Sequence, residues 1–137
     1  MLDTLHNEHA GKLVLRLTVG VLMLFHGVSK VLHPDSLAWI GQQLNNIGLP
    51  AFISYGVYVG EVVAAVLIIL GLFTRVGGLL IAINMLFALG LAHTNEIFRL
   101  GDHGQWAIEL QLFYLLGGVT IMLLGSGKYA IKPDQPI

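Results

Sequence analysis

The chain has 137 residues, is 55% hydrophobic and 11% charged, and carries a formal net charge of −1. A soluble domain carries about 25% charged residues, so the composition excludes an ordinary cytosolic enzyme, a disordered chain and a nucleic-acid module, and points to a one-domain integral membrane protein. The sequence holds no cysteine, which excludes disulfides, thiolate metal sites and thiol catalysis within this chain.

Four apolar runs set the predicted elements. The first covers residues 13–32. It is too long for the core of a signal peptide and no small-residue cleavage site follows, so it is read as a retained span. Pro34 stops it. Asp35 or Ser36 can then cap a new helix. Over residues 35–47, Leu37, Ile40, Leu44 and Ile47 fall near one face, and Gln42, Gln43, Asn45 and Asn46 fall elsewhere. This is an amphipathic segment in the first outer loop, lying on the membrane surface with Trp39 as anchor or packed as a cap on the bundle. Gly48-Leu49-Pro50 ends it. The second run covers residues 52–73, and its Gly56, Gly60 and Ala64 repeat every fourth position, a spacing that permits close helix contact within the chain or between subunits. The third and fourth runs cover residues 76–92 and 106–124. A helix needs about 20 residues to cross the hydrocarbon core. The expectation is an all-α integral membrane protein, a bundle of four transmembrane helices.

Cationic flanks predict orientation. Lys12, Arg16, Arg75, Lys128 and Lys132 fall on one side, against Lys30 and Arg99 on the other. Both termini are therefore expected in the cytoplasm, with the chain in a bacterial inner membrane.

Ionisable groups at membrane depth are costly and need a partner or a purpose. His26, Lys30, Glu61 and Glu109, with Tyr58, Asn84 and Gln111 as neutral partners, gather in the outer half of the bundle when depth is counted at about 1.5 Å per residue. His26 and Lys30 share a helix face at i and i+4, as do Tyr58 and Glu61 at i and i+3. Simple pairing joins Lys30 to Glu109 near the surface and His26 to Glu61 more deeply. His26 and Glu61 are thus the candidate catalytic, proton-exchanging residues, and Lys30, Tyr58, Asn84, His93 and Glu109 the candidate ligand-binding ones. His93 and Asn84 are nine residues apart, half a turn out of phase, so they face one pocket only if the helix ends first. Arg16 is expected to snorkel to the inner interface. Neither glutamate has the Glu-x-x-His pattern of a di-iron bundle, and no metal site is expected.

Arg16-Leu-Thr-Val-Gly20, His26-Gly-x-x-Lys30, Gly48-Leu-Pro50, Glu61, Gly71-Leu-Phe-Thr-Arg75, His93 and Gly125-Ser-Gly-Lys-Tyr129 resemble, in this order, the DoxX family over residues 12–130. One departure is Ala130-Ile-Lys132, where the family often continues Ser-x-Asp. The resemblance implies a four-helix inner-membrane protein linked to redox chemistry; relatives include a subunit of thiosulfate:quinone oxidoreductase and members implicated in oxidative and thiol stress. His26, Lys30, Glu61 and Arg75 match its recurring polar positions. With no cysteine and no nucleotide motif, a redox role needs a quinone, a bound cofactor or a partner subunit. Three functions follow: a redox subunit binding a quinone-like ligand, a scaffold recruiting a soluble oxidoreductase with the polar cluster as glue, or a solute carrier. The bilayer is the expected surrounding, and a homo-oligomer is a further expectation.

Overall fold

A computed structural model describes residues 2–134, and among them the regular structure is helical apart from one isolated bridge between Leu100 and Trp106. After a 3-10 turn at Leu2–Leu5, five helices follow: α1 (Glu8–Leu32), α2 (Asp35–Asn46), α3 (Ala51–Leu70), α4 (Thr74–Ala92) and α5 (Glu109–Leu124). Of these, α1, α3 and α4 are long and apolar enough to cross a membrane, whereas α5 has 16 residues. The fourth predicted run thus starts its helix three residues late. Residues 106–108 form a turn in which Trp106 bridges back to Leu100 and its carbonyl accepts from the Glu109 amide.

Asn7 caps α1 by accepting the Ala10 amide on its side chain. The predicted cap of α2 does not form: Pro34 occupies the N-cap position, and no side chain caps the helix there. Of the two dispositions open to α2, the structure shows the packed one. Leu37, Gly41 and Leu44 are buried, and Gly41 lies against Ala51 at the start of α3. Trp39 stays half exposed.

The core contains Val19 and Met23 of α1, Ala64, Ala65 and Ile68 of α3, Ile81 and Met85 of α4, and Tyr114 and Ile121 of α5. The opposite faces are equally apolar: Val14, Val21, Phe25, Val59, Val63, Leu79, Leu86, Phe113, Leu116 and Leu123 are all exposed. Helices that are apolar all round and bury only one stripe against each other leave the rest for lipid. The molecule is a helical membrane protein in contact with a bilayer.

The most extensive helix pair is α4 with α5, and glycine makes it possible. A Cβ on Gly78 would lie 2.6 Å from the Gly118 carbonyl oxygen, and one on Gly118 would lie 2.7 Å from that of Gly78. Small residues let membrane helices approach at backbone distance. Gly78→Ala forces the two backbones apart, since neither obstacle is a side-chain end that can swing away. The expected loss is about 1–3 kcal/mol, read as a lowered unfolding midpoint in detergent; a wild-type midpoint would contradict the contact. The Gly56/Gly60/Ala64 stripe divides. Gly60 lies against Asn84, Ala64 is in the core, and Gly56 faces open space.

The link from α3 to α4 is three residues, Gly71–Phe73, rather than the turn at residues 74–75 that the apolar runs indicate. Gly71 takes a left-handed conformation (φ 77°) and Phe73 another (φ 46°). Amides of Gly71 and Leu72 both donate to the Leu67 carbonyl, which ends α3. Arg75 enters the first turn of α4 and donates to the Met122 and Leu123 carbonyls at the end of α5.

A candidate functional site around Lys30 and Glu61

At the α2 end of the bundle, α3 departs from regular geometry. Residues Val59–Val63 form a π-helical turn, and such single turns occur frequently at functional sites. Glu61 sits in it. Its side chain is 4% exposed, and Lys30 Nζ donates to its Oε1 at 2.8 Å. Helix α1 reaches this turn because Gly27 has no side chain: a Cβ there would lie 2.6 Å from the Glu61 carbonyl oxygen. One turn further along α1, Lys30 lies over the carboxylate.

This pairing corrects the one expected from depth. Glu61 pairs with Lys30, not His26, and Lys30 does not pair with Glu109. Glu109 is the exposed first residue of α5 and lies outside the cavities that border the pair. Tyr58 is also displaced. The wide π turn breaks the α-helical i, i+3 relation, and Tyr58 lines a separate surface groove beside Tyr55, with ring centroids 6.2 Å apart.

Two cavities border the Lys30–Glu61 pair. One, of about 180 Å³, lies between α1, α4 and α5 and is lined by Met23, His26, Met85, His93, Gln111 and Tyr114 besides the pair. His26 packs edge-on to Tyr114 with centroids 5.5 Å apart and is exposed on its outward side. The second, about 370 Å³, lies under α2 and is lined by Trp39, Asn84, Phe87 and His93 among others. It continues into an apolar groove of about 280 Å³ between α2, α3 and α4, with which it shares Ile40, Val57, Asn84, Phe87 and Leu91.

His93 and Asn84 do line one cavity. Helix α4 ends at Ala92, so His93 leaves the helical phase and turns inward. Its Nδ1 is 2.9 Å from Glu96 Oε2, and its Nε2 is 3.3 Å from Gln111 Nε2. The Glu96 carboxylate fixes the tautomer: Nδ1–H donates to it, and Nε2 accepts from the Gln111 amide.

Two buried acceptors here have no protein partner, Glu61 Oε2 and Gln111 Oε1. Both residues line the same 180 Å³ cavity. Buried polar atoms are satisfied in the great majority of cases, by protein or by water, so these two acceptors, in one cavity beside an ammonium, are the atoms there open to a hydrogen-bond donor. From sequence, Gln111 reads as a neutral partner of the ionisable cluster, and its amide carries no signal that separates joining helices from meeting a ligand.

Arg16 does not snorkel. It is 1% exposed and lies at the opposite end of the bundle, away from the cavities. Its Nε donates to the Ile68 carbonyl at 2.8 Å, Nη2 to Ile69 at 3.2 Å, and Nη1 to Ser126 at 3.0 Å and Tyr129 at 2.7 Å.

The fold and site define a small helical membrane protein with an ion pair buried between its helices and open cavities on both sides of it. The chain belongs to the DoxX family, whose profile matches residues 11–94. That match takes in His26, Lys30, Glu61, Asn84 and His93 and leaves out α5 with Gln111. Among curated proteins it is similar to "Putative oxidoreductase CatD" of Bacillus subtilis, with 30% identity over 90% of this chain and 85% of that protein. It is also similar to an uncharacterized membrane protein of Mycobacterium tuberculosis, 31% identical over 93% of this chain and 83% of the other. An uncharacterized protein of Haemophilus influenzae is 30% identical over 85% of this chain. No solved structure matches the chain.

Proposed function

We propose that the chain is the membrane subunit of a redox system and binds a quinone-like head group beside Lys30 and Glu61, at the α2 end of a four-span bundle. The observation that carries this reading is the pair of orphaned acceptors, Glu61 Oε2 and Gln111 Oε1, in one cavity with the Lys30 ammonium. The two states of a quinone need opposite partners. A quinone carbonyl accepts from Lys30 Nζ, and a hydroquinone hydroxyl donates to Glu61 Oε2. The second hydroxyl has Gln111 Oε1 as acceptor.

Reduction of a quinone consumes two electrons and two protons and yields the hydroquinone. This chain holds no thiol and no nucleotide motif, so the electrons come from a partner oxidoreductase. Glu61 and His26 exchange the protons. The groove between α2, α3 and α4 is lined almost wholly by apolar side chains, among them the exposed Val59, Ile83 and Phe87, and suits a ligand delivered from the bilayer. The cavity that holds both acceptors is about 180 Å³; it shares Lys30, Glu61, Ala88 and His93 with the cavity of about 370 Å³, and together they reach the range for small-molecule sites.

Helix α5 is the fourth span in this reading. It has only 16 helical residues, but its exposed Leu110, Phe113, Leu116 and Leu123 continue the apolar outer surface of the bundle. The excess of lysine and arginine at the opposite end supports a topology with both termini in the cytoplasm and the site on the outer side of a bacterial inner membrane.

Trp39 lines the larger of the two cavities that border the pair and reports a ligand that reaches Glu61 from that side. Titrating the purified protein in nanodiscs with decylubiquinol and with decylubiquinone should give saturable quenching of its fluorescence. Glu61→Gln should weaken the quinol by about tenfold or more, the worth of a hydrogen bond to a charged acceptor, and weaken the quinone less. Equal, non-saturable quenching by both ligands in both proteins would remove the quinone site.

A further inference from the structure

We infer that Glu96, His93 and Gln111 form a proton path between water at the α2 end of the bundle and the buried Lys30–Glu61 pair. The path rests on reading that pair as a proton-handling centre, not on which ligand it serves.

Three features point to it. First, His93 is the histidine that lines both cavities bordering the pair. Second, it reaches water through Glu96: the His93 side chain is 26% exposed and that of Glu96 is 42% exposed, joined at 2.9 Å within the turn Thr94–Glu96. Third, the inner nitrogen is the proton-accepting one. With Nδ1–H held by Glu96, the Nε2 lone pair faces Gln111 and the cavity. The other titratable groups around this space are Lys30 and His26 from α1, Glu61 from α3 and Tyr114 from α5. Asn84 from α4 lines the second cavity.

The transfer balances as follows. A donor in the cavity, the Glu61 carboxyl or a water hydrogen-bonded to it, gives a proton to His93 Nε2. The imidazolium passes its Nδ1 proton to Glu96 Oε2, and Glu96 releases it to water. One proton has moved outward, and exchange of the ring tautomer resets the imidazole; protonation of Glu61 is the same sequence reversed. While Nε2 carries a proton, it needs an acceptor rather than the Gln111 amide. Rotation of that amide supplies Gln111 Oε1, the atom that otherwise has no partner. The same oxygen thus also serves the second state of the relay when no ligand hydroxyl occupies it. The gap between His93 and Glu61 is the cavity of about 180 Å³, polar enough and large enough for bridging water.

The test needs no quinone. In the full chain in nanodiscs, protonation of Glu61 after a downward pH jump is followed by the infrared carboxyl band that Glu61→Gln removes. His93→Phe should slow this protonation by about a hundredfold, the low end of what a positioned proton-transfer group contributes, and leave the end point of the titration in place. Free imidazole should restore the rate. Glu96→Gln, an exposed change that leaves the core untouched, should slow it too, by a smaller factor. Wild-type rates in both variants would show that protons enter beside Lys30 or His26 and would overturn the path. Slowing in His93→Phe that imidazole does not relieve would make His93 structural, and a Glu61 band that never responds to pH would remove the exchange itself. Quinol titration by Trp39 fluorescence stands apart from all of these readouts.

Discussion

Arg16→Leu is expected to cost the folded chain a large part of its stability. A helix leaves its last four carbonyls without intrahelical partners. At the end of α3 each has a donor from elsewhere. Leu67 accepts from the amides of Gly71 and Leu72, Ile68 and Ile69 accept from Arg16, and Leu70 accepts from the Ile131 amide. The same guanidinium holds the Ser126 and Tyr129 carbonyls and so ties the tail after α5 to α1 and α3. Leucine at position 16 strands these acceptors in a site that is 1% exposed. Each buried, unpaired group costs about 1–3 kcal/mol, so the loss is about 4 kcal/mol or more even when some carbonyls recover water. Native stabilities are about 5–15 kcal/mol, and the variant sits close to the threshold. Arg16→Lys should recover only part of the loss, because one ammonium cannot span four acceptors on two segments. Thermal unfolding in detergent reads the loss, and faster tryptic cleavage after Lys128 reads the freed tail. A wild-type midpoint for Arg16→Leu would show that the carbonyls are satisfied without it.

Arg16 also shows where sequence reasoning stops. Its position at the mouth of the first apolar run suggests an exposed head, because the rule for long cations concerns distance from water. Its actual partners are backbone carbonyls from residues 68, 69, 126 and 129, and no side-chain pattern announces a carbonyl left over at a distant helix end. The helices themselves are legible, since apolar runs and the pattern of residues 35–47 act locally. Glu61 is legible as a buried acid. Its partner is not, because depth counted at α-helical rise takes no account of the π turn at Val59–Val63 or of the close approach at Gly27. His93 depends on one boundary: a helix ending at Ala92 brings it to Asn84, and one turn more would have pointed it away.

The Lys30–Glu61 pair should respond asymmetrically to the loss of either member, and the response separates glue from function. Lys30→Ala leaves a carboxylate with 4% exposure and no cation in reach, a change that costs about 3–5 kcal/mol for buried pairs. Glu61→Ala leaves Lys30, 26% exposed, whose flexible stem can carry the ammonium to water, so the loss should be clearly smaller. The double variant Lys30→Met/Glu61→Leu removes both charges and fills the space with apolar atoms. Such replacements are often neutral or stabilising by about 1–4 kcal/mol; the double variant should therefore match or exceed the wild-type unfolding midpoint and still fail to bind decylubiquinol. That combination, stability kept and binding lost, identifies a site retained for its chemistry. A double variant that unfolds early would mark the pair as structural glue, and the chain would then be read as a membrane scaffold that recruits an oxidoreductase.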